Sequence, residues 1–81
     1  MAVALAKKAR LRFDRHEGRW MIMYPERGLA LNESGAAIAQ KLDGTRTREQ
    51  VVSELVAEHG ADPTDVHAFI DALAKKGLVE E

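Results

Sequence analysis

No cysteine occurs among the 81 residues, which excludes disulfides, thiolate metal sites and a thiol nucleophile. Long apolar runs are also missing; nothing approaches the roughly 20 residues of a membrane-spanning helix. Glycine-rich phosphate loops of the dinucleotide or nucleotide-triphosphate type do not occur. Neither sign of charge dominates, the net being −1. Only two prolines are present, Pro25 and Pro63, and each marks a turn or a helix start rather than a flexible tract. His16, His59 and His67 have no histidine three or four residues away, so no helical metal pair exists. Ser34 and Ser53 have no neighbouring base, and Asp14 and Glu17 flank a turn. These absences predict a chain that is not an enzyme and holds no cofactor or metal of its own.

What remains is a globular composition, 46% hydrophobic and 31% charged. A chain of this length makes one domain and buries roughly 60% of its unfolded surface. The opening "MAVALAKKAR" is too short in its apolar part for a secretory signal, and its charges follow rather than precede that part. The expectation is a cytoplasmic protein with a flexible segment at 1–9 and no membrane contact. Charge is unevenly spread. Residues 1–27 carry seven Lys/Arg against three Asp/Glu, and residues 28–81 five against ten. A basic first part therefore precedes an acidic second part.

The alternation of "RLRFDR" at 10–15 predicts a half-buried strand. "HEG" at 16–18 supplies a hairpin loop. "RWMIMY" at 19–24 is apolar on both faces, so it is expected to be the central strand, with Met21 and Met23 in the core. Pro25 turns the chain and Gly28 opens a short third strand running to Asn32. Asn32 reads as an N-cap with Leu31 as its staple. A helix follows to about Leu42, with Ile38 and Leu42 inward and Gly44 as its stop. Thr47 to Gln50 has the form of a capping box ahead of a second helix, which ends at His59-Gly60. Asp62-Pro63 starts a third, whose core stripe is Val66, Phe69, Ile70 and Leu73 and which Gly77 ends. The expected fold is α+β: a three-stranded antiparallel sheet followed by three helices, winged-helix-like.

Two functions fit that order. The second and third helices have helix-turn-helix spacing, which suggests a DNA-binding regulator. Yet the third helix opens on Asp62 and Asp65, the wrong sign to face phosphates. The other reading starts from the third strand, which has one neighbour and one bare edge. Bare edges aggregate unless covered or used, and an extended peptide joins such an edge by β-augmentation.

"LRFD" at 11–14, Trp20, "YPE" at 24–26, "LN" at 31–32, Ala37-Ile38, "LDGTRT" at 42–47 and "FIDALAKKGLV" at 69–79, taken in order, resemble the PqqD family of peptide chaperones in pyrroloquinoline quinone biosynthesis. The resemblance makes 10–79 a single peptide-recognition domain. It implies binding of a ribosomal precursor peptide and its presentation to a radical S-adenosylmethionine enzyme. The iron–sulfur clusters and S-adenosylmethionine would belong to that enzyme. The family's site maps onto Gly28, Leu29, Ala30, Leu31 and Asn32 and onto one flank of the third helix. Pro63, His67, Ile70 and Ala74 are the expected flank; Asp65, Phe69, Ala72 and Lys76 are the other. Arg12, Arg15 and Arg19, away from the third strand, are expected to dock the partner enzyme. No nucleic acid is expected as a partner, and the chain would be a monomer or a homodimer.

Overall fold

The computed structural model describes residues 1–81. The elements in order are β1 (Ala2–Leu5), β2 (Arg10–Asp14), β3 (Arg19–Tyr24), β4 (Arg27–Ala30), α1 (Glu33–Ala39), β5 (Asp43–Thr47), α2 (Arg48–His59), α3 (Pro63–Lys75) and β6 (Val79–Glu80). None of the helices is long and apolar enough to cross a membrane.

The predicted meander is present, β2-β3-β4 with β3 in the middle. Its register sorts the side chains. Leu11 and Leu29 both lie opposite Ile22, and Phe13 lies opposite Trp20, so these share the inner face. Ile22 is fully buried there, with Leu11, Trp20, Tyr24 and Leu29 packed partly against the same core. The Phe13 and Trp20 rings meet edge to face at 5.4 Å. Arg10 opposite Met23, and Arg12 and Ala30 opposite Met21, make the outer face. The two methionines are therefore not core residues, contrary to expectation. They are half-buried on the outer face and take no part in the core. An apolar strand on both faces implies cover on both, but the core forms on one face only.

The hairpin loop is held by Asp14, whose Oδ1 accepts from the His16 and Glu17 amides at 2.9 and 3.3 Å. In the next turn it is Glu26, not a glycine, that takes a left-handed φ of 63° after Pro25. A non-glycine residue there costs roughly 1–2 kcal/mol, while glycine brings an entropic penalty of roughly 0.5–1 kcal/mol. Glu26→Gly is thus expected to gain about 0.5–1 kcal/mol, a rise in melting temperature of roughly 2–8 °C. A lower melting temperature would show that the turn is unstrained.

A second sheet, β5-β1-β6, is the main departure from the expected βββααα order. Residues 1–9 are not a loose segment. Ala2 pairs with Thr47 and Ala4 with Asp43 on one side, and Ala4 with Glu80 and Leu5 with Val79 on the other. Val3 is fully buried between them. The α1 helix also ends early, at Ala39. Leu42 still reaches the core, and its carbonyl accepts the Leu5 amide at 3.0 Å.

Local signals fix the helix starts. Asn32 Oδ1 accepts the Gly35 amide at 2.7 Å. Thr47 and Gln50 form the reciprocal capping box, and Asp62 caps α3 with Pro63 in its first turn. Gly60 and Gly77 close α2 and α3 with φ of 64° and 73°. The fully buried Val51, Leu55, Val66, Ile70, Leu73 and Leu78 join Ile22 and Val3 in one core.

Ion pairs tie these elements together. Lys41 reaches Glu54 at 2.9 Å and Glu58 at 3.1 Å, and Arg46 reaches Glu54 and Asp43, each at 3.0 Å. Hydrogen bonds from Lys41 hold the Glu54 carboxyl below its ordinary 4.5. The Thr45 hydroxyl and amide do the same for Asp43, below its ordinary 3.8. Carboxyls lowered on folding stabilise above their unfolded values, and that stability drains away as the pH falls through the folded ones. Urea midpoints should accordingly be flat near neutrality and fall once the pH drops below about 4.5, the ordinary value of Glu54. Glu54→Gln should blunt that fall; an equally steep fall in the variant would assign it to other groups.

Candidate functional site at the edge of the meander

β4 pairs with β3 alone, so its other side is free backbone. The Leu31 amide donates to the Trp20 carbonyl at 2.9 Å, which fixes the parity that the sequence leaves open. Amides along an antiparallel strand alternate between its two sides. Leu31 and Leu29 therefore turn inward to β3, whereas Ala30 and Gly28 turn their N–H and C=O groups outward. Gly28 and Ala30 are exposed, Leu29 is half-buried against the core, and Leu31 is buried. Asn32 is occupied by its capping bond.

Of the two flanks of α3, the expected one does not present a free surface toward β4. Ile70 is fully buried. His67 turns to α2, its Nδ1 3.3 Å from Arg48 Nη1. Pro63 and Ala74 are exposed at opposite ends of the helix. The other flank meets the first turn of α1, the helix that follows β4. A Cβ placed on Gly35 would stand 3.0 Å from Phe69 Cε1 and 3.2 Å from its Cζ. Phe69 is half-buried, and Ala72 beyond it is exposed. Toward the start of the same flank lies a cavity of about 380 Å³ between α1, α2 and α3. Ile38, Leu55 and Val66 are its buried lining, and the exposed Glu33, Asp62 and Asp65 its acidic rim.

Arg48 is the residue that sequence reasoning missed. It donates to Glu81 at 2.7 and 2.9 Å and to Asp71 at 2.8 Å, besides facing His67. Those bonds raise the Arg48 guanidinium and hold the Glu81 carboxyl below its usual range. Its partners lie 19 to 33 residues away, beyond the reach of any local pattern. Arg12, Arg15 and Arg19 are exposed and make no ion pair. Arg12 lies on β2, the far strand of the meander from the β4 edge.

Comparison with known proteins matches residues 19–79 to the family model "Coenzyme PQQ synthesis protein D (PqqD)". A "PqqA binding protein" of Xanthomonas oryzae is 42% identical over 67 residues, covering 83% of this chain and 73% of the relative. The solution structure of the PqqD part of Methylobacterium extorquens PqqCD, described as a functional stand-alone RiPP recognition element, superposes with a TM-score of 0.71. It is 30% identical, with 98% of this chain and 88% of that one covered. The crystal structure of PqqD from Xanthomonas campestris gives 0.61 at 34% identity, covering 96% and 91%.

Proposed function

This chain belongs to the PqqD family, and from that premise we propose that it binds a ribosomally made precursor peptide as an added strand on β4. It then presents the peptide to a radical S-adenosylmethionine enzyme of pyrroloquinoline quinone biosynthesis. The observation that carries this reading is the free edge, where Gly28 and Ala30 turn both their backbone groups to solvent.

Two outward residues offer about four hydrogen bonds. At ~1 kcal/mol each they only offset an association cost of at least ~4 kcal/mol. Side chains of the peptide must supply the rest, at roughly 1.5–3 kcal/mol for each well-buried anchor. Leu29 and Phe69 form the apolar surface for such anchors. Leu31 and Ile70 support it from the core, and Asn32 fixes the chain's turn into α1. Two or three anchors give dissociation constants between nanomolar and micromolar. The domain's part is recognition; the chemistry, with its iron–sulfur cluster and S-adenosylmethionine, belongs to the enzyme.

The test is titration of labelled protein with the precursor peptide, with duplex DNA as control. Saturable peptide binding with no salt-sensitive DNA binding is expected, since Asp62 caps α3 and Asp65 stands in its first turn. Tight binding to random duplex, with no response to peptide, would sink the reading.

A further inference from the structure

The outer face of the meander is ordered in rows. Arg12, Met21 and Ala30 stand opposite one another across the three strands, as do Arg10, Met23 and Gly28. Both methionines lie toward β4: a Cβ on Gly28 would be 3.0 Å from Met21 Cε and 3.2 Å from Met23 Sδ. Each row thus runs from a guanidinium on β2, over a flexible thioether, to a residue with little or no side chain at the open edge. Beside it a hollow of about 720 Å³ is lined by Arg12, Arg15, Met21 and Met23 together with His16 and one carboxylate, Asp14.

Arg46 and Arg48 are ion-paired within the fold, whereas Arg10, Arg12, Arg15 and Arg19 have no carboxylate partner, as is also true of Arg27 and of the lysines other than Lys41. Unpaired arginines around adaptable methionines have the composition of a protein interface rather than of a solvated sheet. An apolar row at the centre suits a protein surface better than a phosphate backbone.

A strand added to β4 has alternate side chains on this same outer face, next to Gly28 and Ala30. We infer that the outer face docks an acidic, partly apolar surface of the modifying enzyme, and that the bound peptide extends that face, so the enzyme contacts domain and peptide together. The composite surface rests on the strand addition proposed above; the Arg–Met face does not.

Such a surface makes the two binding events cooperative, each ligand raising affinity for the other by one shared factor. The affinity of the radical S-adenosylmethionine enzyme is measured for free and peptide-loaded protein, in the parent, in Arg10→Glu/Arg12→Glu and in Met23→Lys. Peptide loading should tighten enzyme binding by about fivefold or more. The double reversal should weaken it by about tenfold or more and flatten its salt dependence. Met23→Lys, which adds a positive charge but breaks the apolar row, should also weaken it about tenfold. Peptide affinity should stay within about twofold in the double reversal, because β2 is not the edge the peptide joins; Met23→Lys, whose side chain reaches Gly28, is read on peptide-free protein.

Enzyme affinity unchanged in both variants, with native circular dichroism, would overturn the docking face. Enzyme binding that ignores the peptide would overturn the composite surface. If the parent binds no peptide, strand addition itself has failed, and the variants on peptide-free protein still decide the face. If the parent self-associates in sedimentation and the double reversal abolishes only that, the face joins two copies of this chain and the inference is wrong.

Discussion

Val3→Ala should lower the stability of the domain by about 2–3 kcal/mol, although the residue stands near the start of a stretch that reads as featureless. The side chain is fully buried and belongs to the main core. Its strand is the middle one of the second sheet, with β5 on one side and β6 on the other. Removing two methyl-sized groups costs ~0.8 kcal/mol each in transfer free energy, and the cavity left behind adds to that. An 81-residue domain has roughly 4–12 kcal/mol in all, so the loss is a large share of it. At roughly 4–8 °C per kcal/mol, the melting temperature should fall by about 8–24 °C. The urea slope should not change, since the unfolded surface is nearly the same. Ala2→Ser, at an exposed position one residue earlier, serves as the control and should shift stability by less than ~0.5 kcal/mol. A Val3→Ala effect as small as the control's would mean that β1 contributes nothing to the folded state.

That contrast shows what the sequence makes legible. Asn32, Thr47 with Gln50, and Asp62 with Pro63 announce helix starts because a cap and its amide lie within three residues of each other. The meander is equally plain, since "RLRFDR" alternates and its neighbour is apolar throughout. β1, β5 and β6 carry no such signal. β1 pairs with segments around residues 45 and 80, β6 has two residues, and β5 ("DGTRT") has no apolar residue at all. Gly44, read as a helix stop, sits inside that strand with a φ of 82°. Pattern also says nothing about how many faces of a sheet are covered, which is why Met21 and Met23 were expected inside. The same limit applies to α3. Periodicity marks Val66, Phe69, Ile70 and Leu73 as the buried stripe, of which Phe69 is only half-buried, and it does not say which flank meets β4. The contacts found on its two flanks, Arg48 facing His67 and Gly35 against Phe69, are both long-range.

Ala30→Pro and Leu29→Pro should part company completely, though they alter adjacent residues of the same strand. Proline removes one amide hydrogen and fixes φ near −65°, which an edge strand tolerates only where that amide is unpaired. The inward amides are those of Leu31 and Leu29, because Leu31 bonds to Trp20 and the direction alternates along the strand. Leu29→Pro therefore breaks a bond to β3 and also removes a side chain packed against the core. A cost of ~3 kcal/mol or more is expected, read as a fall in melting temperature of roughly 12–24 °C. Ala30→Pro breaks no bond within the sheet, and its exposed side chain leaves no cavity, so the fold should survive with less than ~1 kcal/mol lost. Peptide binding should not survive. The lost bond alone is worth ~1 kcal/mol, about fivefold in affinity. The proline ring also projects into the space where the guest backbone must approach, so neighbouring bonds fail with it and the total loss should reach about a hundredfold. Melting curves and peptide titrations of the two variants decide the matter. A folded Ala30→Pro protein that binds peptide like the parent would show that the guest strand does not join β4, and the site would have to be sought on α3 alone.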